Sequence, residues 1–221
     1  MATDPQGLER LEQLGIRGVP VLARGDEYVR GDLSQVDALL GLVPTREETL
    51  PPGELIDRLT SLLLTAVGLG ERIPRDHWND VTPRAGRTSL GLVSHVVWHG
   101  AYFAKLATKP DAELSEDLAR TLIGESSHPD LRIDVLFELA NRIVVEIREW
   151  WDEGTVDLTR VVNTPQGPEQ LHRTLDSTTY SVAQHTRQLL SLLDDYGLSP
   201  DRALVEEEMR GIALPTAVWD D

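Results

Sequence analysis

His95 and His99 stand four residues apart in a stretch, about Ser89 to Leu106, that reads as one helix, so their imidazoles leave the same face about one turn apart. Two imidazoles at that spacing can share one divalent cation. A third, His185, falls on the stripe Leu171, Leu175, Thr178, Val182, His185, Leu189, Leu192 and Tyr196. This three-and-four alternation predicts the inward face of another helix, from about Glu169 to Tyr196. Side chains on facing helices of a bundle can converge on one interior site. Three neutral ring nitrogens suit zinc, nickel or iron-type ions better than magnesium or calcium, and leave coordination positions for water or substrate. Such an ion acts as a Lewis acid or generates hydroxide or thiolate.

The same three residues admit a plain structural role. His95 and His185 would then be interior histidines hydrogen-bonded to neighbours such as Tyr102, Ser181 or Gln188, with His99 half exposed. His77 beside Trp78, His128 before Pro129 and His172 near Asp176 read as surface positions. Trp150-Trp151 reads as core plus rim, and Glu206-Glu207-Glu208 as a solvated face.

Composition narrows the remaining chemistry. With no cysteine, the chain offers no disulfide, no thiolate nucleophile and no zinc-thiolate site. Catalysis would have to run on histidines, carboxylates, hydroxyls or a bound metal. A formal net charge of -16 repels a phosphate backbone or an anionic membrane surface, so neither nucleic acid nor membrane is an expected partner. No apolar run approaches the roughly 20 residues that span a bilayer. The opening Met1-Ala2-Thr3-Asp4-Pro5 lacks the basic and apolar regions of a signal peptide, and a cytoplasmic location is expected.

These histidines need elements to hold them. Val43-Pro44-Thr45 and Leu50-Pro51-Pro52-Gly53 bracket an acidic stretch that reads as a linker over residues 44–52. Before it, residues 1–43 predict a helix at Leu8–Leu14, a strand at Gly18–Ala23, a turn into Tyr28-Val29 and a helix from Asp32 to Leu40. A unit of that size buries little on its own and invites a partner surface, so a homodimer is expected. After the linker, Leu55, Ile56, Leu59, Leu62, Leu63, Ala66 and Val67 predict one amphipathic helix. Ile133, Leu136, Phe137, Ala140, Ile143, Val144, Ile147, Trp150 and Trp151 predict another, ending at Gly154. With the two histidine-bearing helices these make a mostly α fold, a four-helix bundle over residues 53–200 behind a small α/β segment. A shorter helix is expected from Glu113 to Gly124 and a turn-rich connection from Val161 to Pro168. Residues 201–221 form a tail whose apolar Leu214 to Trp219 would lie back on the body.

Two stretches resemble known families. Asn163-Thr164-Pro165-Gln166-Gly167-Pro168, followed by Leu171 to Leu175 and Thr178 to Leu189, is similar to the last helix of the DinB-like superfamily, and Ser94-His95 is similar to its second helix. The resemblance covers most of residues 53–200. That superfamily includes mycothiol- and bacillithiol-dependent transferases and isomerases. Membership implies a four-helix bundle with a His-rich metal site, one ligand from the second helix and an HxxxH pair on the last. Carried over by position, His95 matches the second-helix ligand and His185 the second histidine of the pair, while the first falls on Ser181. Either His99 supplies the replacement nitrogen or the site has lost its metal.

The second resemblance lies in Gly15 to Leu22 and Gly25 to Asp32, which look like the C-terminal half of a glutaredoxin or thioredoxin-like domain. It implies that Pro20 is that family's cis-proline and that Val19 offers backbone groups to a bound thiol. The redox cysteines are absent, so dithiol exchange is excluded. The candidate metal ligands are thus His95, His99 and His185, and the candidate cofactor-binding residues Val19, Pro20 and Ser181. The expected activity is a metal-dependent transferase or hydrolase acting on a small molecule, with a low-molecular-weight thiol as co-substrate. The alternative is a non-catalytic small-molecule-binding or scaffold protein with a degenerate metal site.

Overall fold

Helix starts and stops in this chain follow from local chemistry that can be named. The computed structural model describes residues 5–14, 21–25, 27–30, 50–83, 87–109, 132–164 and 167–219. The helices predicted at Asp32–Leu40 and Glu113–Gly124, together with Val19, Pro20 and His128, lie outside the described residues. By internal packing the chain divides into two units, residues 1–47 with 164–167, and residues 48–163 with 168–221.

In the first unit, α1 (Pro5–Gln13) precedes an antiparallel pair, β1 (Val21–Arg24) and β2 (Glu27–Arg30), in which Val21 faces Arg30 and Arg24 faces Glu27. The tight return uses Gly25 at φ 62°, a left-handed conformation that glycine adopts without a Cβ clash. The Arg10 guanidinium donates to the Gly25 carbonyl and ties the helix to the turn.

The second unit carries the histidines. Pro51 and Pro52 lead into α2 (Pro52–Glu71), proline being preorganised for a first helical turn. A 3-10 turn at Arg75–His77 follows, and then α3 (Ser89–Thr108), whose N-cap Thr88 accepts the Gly91 N–H at 3.1 Å. α4 (Ile133–Asp152), β3 (Val161–Thr164), β4 (Gly167–Gln170), α5 (Leu171–Asp195) and α6 (Arg202–Met209) complete the order. α5 ends in a Schellman motif: Gly197, at φ 72°, donates to Asp194, and Leu198 donates back to Leu193 at 2.8 Å.

The four long helices pack on one another, α2 and α3 each touching α4 and α5. Their shared core includes Ile56, Leu59, Leu63, Val93, Phe103 and Leu136. α2 and α3 approach closely because position 100 has no side chain. A Cβ on Gly100 would sit 2.7 Å from Leu63 Cδ1 and 3.3 Å from Ile143 Cγ2. That close approach lies one residue from His99. No helix among the described residues is long and apolar enough to cross a membrane.

Three expectations are corrected. The connection expected at Val161–Pro168 is the two-stranded β3–β4 sheet, and Glu169-Gln170 belong to a strand rather than to the last helix. The β-branched Val161, Val162 and Thr164 favour extended backbone, and Leu171 N–H closes onto the Arg160 carbonyl at 2.8 Å. Phe137 is 37 % exposed, because one residue of helix is about 100° of rotation and the buried stripe is Leu136, Ala140, Ile143 and Ile147. Glu208 is not simply solvated: it accepts the Ser61 and Thr65 hydroxyls at 2.6 and 2.8 Å and holds α6 against α2.

Candidate metal centre

α3 and α5 bring the three predicted ligands together. One ring nitrogen from each of His95, His99 and His185 lies within 4.8 Å of the others. The ring centroids are 4.6 Å apart for His95–His99, 4.9 Å for His95–His185 and 5.6 Å for His99–His185. Nitrogens bound tetrahedrally to zinc at about 2.05 Å stand about 3.3 Å from one another. The His95 and His99 Nε2 atoms are already at 3.2 Å. The widest of the three separations has at most about 1.5 Å to close to reach that spacing. Among the described residues no carboxylate joins the group.

The proton positions follow from the partners. Arg87 Nη2 lies 2.9 Å from His95 Nε2, and a guanidinium has only donors, so this nitrogen accepts and carries the lone pair. The His99 Nε2 beside it must then donate. His95 Nε2 therefore serves two N–H donors at the place where an ion would bind. For a metal to take this nitrogen, the Arg87 guanidinium has to withdraw and His99 has to present a lone pair.

On the other side, His185 Nδ1 lies 2.7 Å from Gln188 Oε1, an oxygen that can only accept. The neutral His185 ring thus carries its proton on Nδ1 and its lone pair on Nε2. An acceptor on the rear nitrogen of a ligand histidine is the usual means of orienting the ring and raising its basicity.

His99 is half-buried as a residue, but its ring is enclosed by His95, His185 and Trp98. Burial first, then repulsion from a protonated His185 ring in acid and from the Arg87 guanidinium, lower its pKa from 6.5 to about 3. It is therefore neutral at physiological pH, the state that metal binding requires. Trp98 stacks parallel to His95, with centroids 5.7 Å apart, and its buried indole N–H has no hydrogen-bond partner among the described residues.

The other candidates are not gathered here. Ser181 is half-buried and its hydroxyl donates to the Ser177 carbonyl at 2.9 Å, the common i–4 bond of a helical serine. His77 pairs with Asp80 at 2.7 Å and stacks on Tyr196, while His172 is half-buried at the start of α5. A groove of about 300 Å³ along α4, lined by Asn141, Arg142, Val145, Glu146 and Glu149, includes none of the histidines. Sequence reasoning named Gln188 as a neighbour but missed Arg87. An antiparallel bridge between Val81 and Thr88 places this arginine beside the first turns of α3.

No protein-family model matches the chain, and neither the curated proteins nor the solved structures compared with it gave a match.

Proposed function

We propose that the protein is a metal-dependent enzyme of the DinB-like type, a four-helix bundle that holds a zinc-like ion on His95, His99 and His185. The observation that carries this reading is the convergence of three imidazole nitrogens within 4.8 Å, one ring already backed by a glutamine oxygen. The donor set fits the ion: all three ligands are nitrogens, and His99 is held neutral. With only three protein ligands, the bound ion would lower the pKa of a coordinated thiol or water.

The chain's own residues suggest what such a ligand looks like. Arg87 brings a positive charge to the cluster, and among the described residues no carboxylate joins it and the Trp98 indole N–H meets no acceptor. A ligand bearing an anionic acceptor suits that charge, and a low-molecular-weight thiolate is one, in a transferase or hydrolase reaction. The β1–β2 pair, on which Leu22 and Tyr28 are exposed, supports a homodimer, to be checked by sedimentation velocity over a range of concentrations.

One observation favours a second reading, a non-catalytic binding or scaffold protein with a degenerate site. Arg87 sits on the nitrogen the ion needs. Elemental analysis of untagged protein discriminates the two. Stoichiometric metal that is lost in His185→Ala supports the enzyme. A wild type that is purified metal-free and refuses reconstitution with zinc, nickel or ferrous ion leaves the binding protein.

A further inference from the structure

The C-terminal residues 215–219 run along α5, and four of its polar side chains fasten them there. Arg187 Nη1 donates to the Pro215 carbonyl at 2.6 Å and Nη2 to Thr216 at 3.3 Å. Gln184 Nε2 donates to Val218 at 2.8 Å, and the Trp219 indole N–H reaches Ser191 Oγ at 3.4 Å. Gln188 completes the set: its Nε2 donates to the Val218 carbonyl at 3.1 Å while its Oε1 lies 2.7 Å from His185 Nδ1.

This last pair decides the orientation of the amide. A backbone carbonyl can only accept, so the NH2 of Gln188 must face Val218, and its oxygen must then face His185. Were the strap elsewhere, the amide could flip and offer His185 a donor, which would move the ring proton to Nε2. Gln188 is fully buried and His185 nearly so, so water does not compete freely for either group.

We infer that residues 215–219 are a working part of the histidine centre: through Gln188 they lock His185 in its Nδ1–H tautomer and so place the lone pair on Nε2, the atom that would bind the ion. Gln188 is a positioning residue, and Val218 acts on the site through it. The consequence for metal affinity rests on the metal reading above, whereas the tautomer does not. The class of ligand served is a divalent transition metal bound by neutral imidazole nitrogen.

Long-range proton–nitrogen NMR correlations of the full-length, metal-free protein at pH 7.5 test this, with the His185 signals assigned by their loss in His185→Ala. Wild type is expected to show His185 protonated on Nδ1 alone. Gln188→Leu, which keeps the volume but removes the acceptor, should move population to the Nε2–H form that imidazoles prefer in water. Gln188→Glu retains an acceptor and should keep a proton on Nδ1. The double variant Arg187→Ala with Trp219→Ala touches neither His185 nor Gln188. It should loosen the strap and give a mixture. Zinc affinity, by competition with a chelator, should fall about 10- to 100-fold in Gln188→Leu and less in the strap variant. An unchanged His185 tautomer in either Gln188→Leu or the strap variant overturns the inference. A tautomer change in a protein that binds no zinc upholds the strap's role and defeats the metal reading alone.

Discussion

Acid should weaken the metal-free fold over a window set by one histidine. The pKa of His99 is about 3 in the folded chain against 6.5 for the free side chain. On acidification the unfolded chain therefore takes up this proton first, and the folded chain resists it. The stability tied to a neutral His99 is complete above pH 6.5 and drains away as the pH falls toward about 3. Each pH unit inside the window costs about 1.4 kcal/mol, so a fall from pH 8 to 5 removes about 2 kcal/mol. That is an upper bound, since water reaches the outer part of this half-buried residue. Stopping at pH 5 matters because ordinary carboxylates, with pKa values about 4, are still mostly ionised there. The assay is urea unfolding with EDTA at pH 8, 7, 6 and 5, for wild type and His99→Gln. Wild type should lose stability more steeply than the variant, by about 1–2 kcal/mol across the series. Parallel curves would refute the reasoning, because the loss would then belong to groups other than His99.

Other perturbations read the same site. Arg87→Gln removes a charged hydrogen bond that metal loading must break, worth about 1.5–3 kcal/mol, so zinc should bind about 10- to 100-fold more tightly by chelator competition. Zinc at a hundredfold excess over its Kd should raise the unfolding free energy of wild type by about 2.7 kcal/mol and leave His185→Ala unmoved. Ser181→His adds an imidazole one turn before His185 on α5, and zinc affinity should rise at least about tenfold. An unchanged Kd would mean that this position does not reach the ion. Gly100→Ala drives a methyl into Leu63 and should destabilise the protein by about 1–3 kcal/mol in denaturant titrations.

Much of this site was legible before any coordinates. An i, i+4 histidine pair is bound to share a helix face, and His185 falls in an unbroken three-and-four stripe, so each ring had a predictable direction from its own helix. The four long helices announced themselves in the same way, by periodicity that is local. The misses are also physical. Phe137 is apolar and adjacent to the stripe, but hydrophobicity does not say on which side of a helix the partner lies. The triple glutamate looked solvated because composition cannot foresee that Ser61 and Thr65 stand opposite Glu208.

What the sequence determined by itself is therefore the inventory and its local direction: no thiol, a strongly acidic chain, three histidines on two inward helix faces. Only the tertiary structure decided what each ring nitrogen meets. Arg87 reaches His95 from just before α3, and Val218 reaches Gln188 from 30 residues beyond it. On the readings proposed above, those contacts set the tautomer of His185 and the ease with which an ion would enter. They depend on distances between segments far apart in the chain, which no spacing along the sequence encodes.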